Sequence, residues 1–556
     1  MSDPAVSGPL DLVVLGGRIW TQVPQHPWAD ALGVRDGRIS AVGTAEEVLA
    51  LAGDGTEEYR LDGELVMPGL IDGHVHLNLG GGQAAFELPL LPSDGIDEIL
   101  VKVRDWAARL EPDAWVVGGI VGSTAMDKIT DAGVLARLDE ASLGHPVLLR
   151  DDTMHNRWVS SRALELMGVG AESSDPEGGH YVRDAQGRLT GVLHERASAE
   201  AEKAFVASVD DLQSRIRTSI ATAVRILNGF GVTTAQEAAT MAGPAHALAD
   251  LASTGELTAR VVLSTPARPF LEEGVVGDEL IAEVASLRSD LVRPDFVKIV
   301  LDGVPMTRTT ALLSPYKCHH GEEPFTGEIY WTLEDLIAQL ERCHELGLGA
   351  KLHATGDASV RRVLDAAERL RAHRGSEIRL QIAHAEYVDP KDVARFAELD
   401  VVADLSPYIW YPSVIQQSIA DQVPEEIVDA SWPVRDLIDA GALVAAGSDW
   451  PCAAPTPDPW TGLQTLVTRR NPDPAVPGAL NPAQAVTLEE AIAAFTTNPA
   501  EAMGLGAETG RLEPGYSADF IVLDRNLFEI DVDDIHRTQV LRTYFSGAVV
   551  YEKPAA

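Results

Sequence analysis

The sequence predicts an α/β fold built on an eight-strand parallel barrel, and three patterns predict it. Strand-like apolar runs alternate with helix-like segments through the middle of the chain. Several of those runs stop at a polar residue just before a glycine or a loop-like stretch, as barrel strands do at the end that carries chemistry. Short alternating strands with glycine turns recur at both ends of the chain, outside that rhythm.

Near the N-terminus, Leu12-Val13-Val14-Leu15 and Arg38-Ile39-Ser40-Ala41-Val42-Gly43 read as strands, with turns at Gly16-Gly17 and Asp36-Gly37. Ala518 to Leu523 and Thr543 to Tyr551 mirror them, with turns at Glu513-Pro514-Gly515 and Ser546-Gly547. Residues 1–66 plus 503–556 are therefore expected to form one β-sandwich. Between them, strands are read at 70–76, 232–237, 259–265, 296–302, 349–354, 379–384, 401–406 and 443–449. That count fits a TIM (β/α)8 barrel over 67–80 plus 215–502. Ser359 to Arg371, Pro390 to Glu398 and Thr487 to Met503 have helical apolar spacing, and Thr487 with Glu490 reads as a capping box. The first two barrel strands are separated by far more chain than a helix needs. Residues 81–214 are thus expected to be an inserted subdomain with strands at Trp115 to Ile120 and Pro146 to Arg150. Because it leaves from the end of the first barrel strand, a lid that helps select substrate is the expectation.

The first barrel strand carries the most specific motif. Met67 to Leu77 reads Met-Pro-Gly-Leu-Ile-Asp-Gly-His-Val-His-Leu. Residues i and i+2 of a strand share a face, so His74 and His76 project together while Val75 turns away. Alone, this pair is also compatible with two hydrogen-bonded polar residues. Further along, Ala350 to Asp357 carries His353, Leu380 to Ala385 carries His384, and Leu443 to Trp450 ends in Gly447-Ser448-Asp449. A single strand histidine can be a satisfied core residue, and a single terminal aspartate can be a helix N-cap. Four strand histidines and one aspartate together fit a hydrolytic zinc site better than independent accidents.

Lys298 lies inside the apolar run Phe296 to Gly303, where lysine is costly to bury. It can snorkel at a strand edge. Facing a metal instead, it would be held as a neutral amine. A neutral amine can take up carbon dioxide and become an anionic carbamate able to bridge two metals.

Pro68 to Leu77, Lys298 with Asp302-Gly303, His353 to Asp357, His384 and Gly447 to Pro451 together resemble the amidohydrolase superfamily. The likeness is closer to its branch containing N-substituted formamide deformylases and the exoenzyme regulatory protein. Further matches are Asp152 with His155-Asn156-Arg157-Trp158 and Ser161, Gly191 to Glu195, and Arg308 through Tyr316. The resemblance covers nearly the whole chain. It implies His74 and His76 on one zinc ion, His353 and His384 on a second, a carboxylated Lys298 bridging them, and Asp449 as ligand and proton shuttle. Glu195 is the rival for the bridging carboxylate, and an unmodified Lys298 would leave one ion.

These ligand types imply hydrolysis of a C–N bond in an amide, N-formyl, N-acyl or cyclic amide substrate. A metal lowers the pKa of bound water to about 7 and polarises the carbonyl. Asp449 would take the water proton and pass it to the leaving nitrogen. The same site could cleave an ester or lactone. A regulatory or binding protein that kept the fold without turnover is a reading of a different class. Candidate substrate contacts are His155, Trp158, Glu195, Asp302, Arg308, Tyr408, Trp410 and Trp450. A cluster of aromatics at one barrel end would suit a bulky or aromatic group, while Asp152, His155 and Trp158 could equally hold the insertion together by hydrogen bonds.

The 556-residue chain carries a formal net charge of −40. Coulomb repulsion then opposes nucleic acid and anionic membrane as partners, and leaves a small-molecule substrate. A solvated acidic surface explains that charge more simply than attraction for a cationic substrate does. Met1 to Leu10 has no basic region followed by an apolar stretch, so a signal peptide is not expected. Cys318, Cys343 and Cys452 are too scattered for a disulfide framework or thiolate zinc site, which fits a reducing cytoplasm. A homodimer is expected only as the commonest oligomeric state.

Overall fold

The computed structural model describes residues 8–151, 156–176, 179–269, 274–318, 323–375, 377–452 and 456–554. The chain forms two compact units, Met1–Leu77 with Val224–Ala556, and Asn78–Ala223.

In the first unit, eight parallel strands follow one another in chain order. They are β1 (Leu70–Val75), β2 (Val232–Glu237), β3 (Arg260–Pro266), β4 (Val292–Val300), β5 (Gly349–Ala354), β6 (Leu380–His384), β7 (Val401–Leu405) and β8 (Val444–Ala446). β1, β2 and β7 are buried along their whole length, as parallel strands covered on both faces are, and they carry none of the polar–apolar alternation of a half-exposed strand. β4 begins at Val292, earlier than the sequence suggests. Pro294 masks the signal there, and it sits where the β3–β4 register shifts, a place proline tolerates.

β8 ends at Ala446 rather than at residue 449. A Cβ on Gly447 would lie 2.2 Å from the His74 nitrogen, so only glycine allows the chain to pass β1 this closely. The barrel joins there through the Asp449 N–H, which donates to the His74 carbonyl at 2.6 Å. The Ser448 N–H donates to Asp72 Oδ1 at 2.8 Å.

Residues 487–503 form two helices, Leu488–Ala494 and Thr497–Met503. The capping box is present, with the Glu490 N–H donating to Thr487 Oγ1 and the Thr487 N–H to the Glu490 carboxylate. Pro499 cannot extend the first helix but suits the first turn of the second.

Strands from both chain ends form one sheet in the order Ala548–Glu552, Val540–Phe545, Phe520–Leu523, Leu65–Pro68, Leu12–Trp20, Trp28–Arg35 and Arg38–Gly43. Glu57–Arg60 pairs beside Leu12–Trp20. A bridge between Arg38 and Ser517 brings distant parts of the sheet together. The strands expected of the sandwich pair into this sheet, and Val14, Ile19, Leu32, Phe520 and Tyr544 gather in one apolar cluster. The sheet's strand Leu65–Pro68 leads directly into β1.

The second unit has its own six-stranded sheet, built from Leu88–Pro89, Val116–Val121, Val147–Asp151, Asn156–Val159, Leu189–Glu195 and Gly179–Arg183. One apolar cluster gathers Ile99, Val103, Leu138 and Trp158, and another gathers Leu148, Leu164, Tyr181 and Leu193. Among the described residues, no helix is long and apolar enough to cross a membrane.

Glu202 ties this unit together electrostatically. Burial alone would raise its carboxyl, but the Arg150 and Arg157 guanidiniums, each 2.7 Å away, hold it down at about 2. A carboxyl depressed in this way stabilises the fold fully above its ordinary value of 4.5, and that contribution is lost as pH falls through about 2. Glu202→Gln is expected to destabilise the unit by about 3 kcal/mol, because it strips a partner from two buried guanidiniums. It should also flatten the acid-side loss of stability between pH 4.5 and 2. Hydrogen exchange of the Val147–Asp151 amides reads both effects, and unchanged exchange would show that these contacts contribute nothing.

Candidate metal centre

The barrel strands end in a cluster of donors. His74 and His76 leave β1 on one face, as their spacing requires, and Asp449 follows β8 just past the close approach at Gly447. The His74 and His76 Nε2 atoms lie 3.6 and 3.3 Å from Asp449 Oδ1. One donor atom from each of these residues falls within 4.8 Å of the other two. Ligands on a tetrahedral zinc ion, with metal–ligand distances of about 2.0–2.1 Å, stand about 3.3 Å apart. The three side chains therefore suit a shared metal ion.

His384, at the end of β6, places its ring 5.0 Å from His74 and 4.5 Å from His353 of β5. The structure thus brings all four histidines and Asp449 into one group. His384 and Asp449 both have left-handed backbones, with φ of 77° and 52°. Such geometry is costly outside glycine and re-aims side chains that a regular strand would send elsewhere.

Burial sets the charge states. It pulls His74 and His353 well below the ordinary imidazole value, with the Lys298 charge assisting at both, and it brings His384 to about 4. Neutral imidazoles are the form that binds metals. Burial would raise Asp449, yet its hydrogen bond to His76 and the nearby His384 hold it below the usual carboxylate value. Lys298 of β4 is buried and is drawn down to about 8 by desolvation and by Lys351. The two lysines are register partners on β4 and β5.

Three groups escaped the sequence reading. Glu237 ends β2, faces His76 Nδ1 at 3.9 Å and accepts the Leu77 N–H at 2.6 Å. Asp404 Oδ2 of β7 stands 2.9 Å from His74 Nδ1. Lys351 of β5 contacts the same Asp404 oxygen. Burial pushes Asp404 up and Lys351 down, and their mutual attraction is the main force opposing both. Lys351 was findable, since it stands two residues before His353 and so shares its face. Glu237 was findable as a polar terminus to an apolar run.

Several expected substrate contacts lie in packed surroundings. Trp158 is fully buried in the apolar core of the second unit. Asp302 is fully buried and accepts hydrogen bonds from the Ala311, Thr355 and Gly356 amides, each at 3.0 Å, and from the Thr355 and Ser359 hydroxyls. It anchors the loop after β4 to the start of helix Asp357–Arg374, and its lone pairs are spent there. Tyr408 packs near Gly462 and Phe495, with its hydroxyl donating to the Pro457 carbonyl. Trp410 stacks on Trp432 beneath the Arg469 guanidinium. Trp450 is buried, and its carbonyl accepts the His76 N–H at 2.9 Å. Tyr408, Trp410 and Trp450 are thus all buried.

Arg308 is half-buried, with its guanidinium over the Tyr316 and Phe325 rings at 5.6 and 5.9 Å. Glu195 belongs to the second unit, where it is exposed with φ of 52° between its strand and the next helix. Asp152 and His155 lie outside the described residues.

The amidohydrolase family model matches residues 57–551. The chain is 28% identical to an N-substituted formamide deformylase of Arthrobacter pascens, an alignment covering 98% of each chain. It is 26% identical to the exoenzymes regulatory protein AepA of Pectobacterium carotovorum, over 69% of this chain and 81% of that one. Among solved structures, it is similar to an uncharacterized metal-dependent hydrolase of Pyrococcus horikoshii, with a TM-score of 0.75, 22% identity and coverage of 94% and 99% of the two chains. The chain therefore belongs to the amidohydrolase family.

Proposed function

We propose that this enzyme cleaves the C–N bond of a small amide, N-formyl, N-acyl or cyclic amide substrate at the barrel end where His74, His76 and Asp449 converge. The observation that carries this reading is that convergence, of two imidazole nitrogens and one carboxylate oxygen at the spacing a zinc ion needs. A bound metal supplies Lewis acidity there, which lowers the pKa of water to about 7 and polarises a carbonyl.

The protein's own groups do the rest. The Asp449 carboxylate takes the proton from the attacking water and returns it to the departing nitrogen. Its left-handed backbone and the join to His74 fix where that carboxylate points. His353 and His384 would hold a second zinc ion through neutral imidazoles. Lys298, if carboxylated by carbon dioxide with loss of one proton from its amine, would supply a carboxylate ligand to the centre. Arg308 is a described candidate in this unit for orienting the substrate.

A regulatory reading has one supporting observation, the similarity to a protein named as a regulator. Asp449→Asn separates the two. Hydrolysis of a panel of N-formyl amines, N-acyl amino acids and anilides is expected to fall about 10²–10⁴-fold. A regulator would show no turnover to lose.

Metal analysis of the purified protein is expected to give about two zinc ions per chain, with hydrolysis abolished by a chelator and restored by zinc. Lys298→Met should reduce that content to about one. A wild-type content of one, unchanged in the variant, would exclude the carbamate bridge.

A further inference from the structure

We propose that Lys351 and Asp404 are positioning residues that fix the tautomer and orientation of His74, and through it the affinity of the metal centre; this rests on the metal-hydrolase reading. Lys351 is fully buried in the middle of β5. Its ammonium contacts four other strands: Asp404 of β7, the Gly73 carbonyl of β1 at 2.9 Å, Gln381 Oε1 of β6 at 3.0 Å and Gln236 Oε1 of β2 at 3.3 Å. A single side chain thus ties together five of the eight strands below the donor cluster.

Two of those contacts converge on His74. The Gly73 carbonyl belongs to the residue immediately before it, so Lys351 restrains the backbone that carries the ring. Asp404 Oδ2 accepts from Lys351 and stands 2.9 Å from His74 Nδ1, a carboxylate contact that calls for the proton on Nδ1. With its proton on Nδ1, the ring presents the Nε2 lone pair toward Asp449. Glycine at position 73 makes room for this, since a Cβ there would lie 3.2 Å from Asp404 Oδ1 and 2.8 Å from the Ala446 carbonyl.

The contrast with His76 shows what the network adds. His76 is 22% exposed, and its Nδ1 stands 3.9 Å from the Glu237 carboxylate, beyond hydrogen-bond reach. His74 is 1% exposed and held on both ring and backbone. A carboxylate on the far nitrogen of a ligating histidine fixes its tautomer and raises its basicity, and removing such a partner costs 10–100-fold in metal affinity.

A buried pair can also be a mere plug for the barrel interior, so the test must separate holding the fold from holding His74. In Lys351→Met/Asp404→Val both charges leave together, a change that buried ion pairs often tolerate. Zinc affinity, measured by competition with a chelator of known strength, is expected to weaken about 10–100-fold. Thermal unfolding of the metal-free protein should barely move, and kcat should fall with KM nearly unchanged. Should the double variant not fold, the zinc-loaded wild type carries the test: nitrogen-15 spectra of its histidines should show His74 protonated on Nδ1. Wild-type zinc affinity in the folded double variant, or a His74 protonated on Nε2, overturns the proposal alone. A wild-type protein that binds no zinc overturns the metal reading and this proposal together.

Discussion

The centre depends on one join, where the last barrel strand passes the first. Gly447 lets the chains approach, the Asp449 amide bonds the His74 carbonyl, and Asp72 holds the Ser448 amide. Asp72 Oδ1 also accepts the His74 N–H at 3.1 Å, so one carboxylate sets both backbones. A parallel barrel must close somewhere, and here closure by backbone contact and a buried carboxylate replaces a regular ladder. Three donors from opposite ends of the barrel sequence are aligned by this closure. A shift of an ångström at the join would open the donor spacing, because the Asp449 amide on the His74 carbonyl and the His76 amide on the Trp450 carbonyl fix both chains there.

Buried charge is the second constraint. Desolvation is the largest influence on Asp72, His74, Lys298, Lys351 and Asp404 alike, so none of them is stable as an isolated ion. The arrangement answers this locally. Lys351 and Asp404 neutralise one another wherever their shared proton sits. The two lysines disfavour protonation of His74, which keeps it a donor. The −40 charge of the chain plays no part in this balance, since charge in water is screened over about 8–10 Å while these groups act at contact distance.

The barrel was legible because its strands are buried on both faces and punctuated by glycine, and because His-x-His has a strand's period of two. The donors read well for the same reason: a polar group ending an apolar run is visible without structure. Lys351 carried a signal in its spacing from His353, but Asp404 sits inside β7 with no histidine of its own strand beside it, so nothing in sequence pairs it with His74. Asp302 looks in sequence like a strand-end ligand, yet its five donors lie in segments that only folding brings to it. The aromatics were ambiguous in sequence for a related reason. Tyr408 and Trp410 follow β7 closely, but a ring near a strand end can line a cavity or fill one. The intervening loop decides which, by folding Trp432 and Arg469 over Trp410.

This division has a physical origin. Strand period and burial constrain the barrel and its donors at every position, so a slip of one residue would turn His74 and His76 out of the site. Loops after the strands face no such periodic demand, and specificity is carried there on a rigid scaffold. The reaction class therefore follows from residues whose placement the barrel enforces. The segments after β4 and β7 are held in place by the Asp302 hydrogen bonds and the Trp410 stack. A family can in this way keep one metal chemistry while its members diverge in what they bind, and a chain 28% identical to a deformylase can share its centre without sharing its substrate.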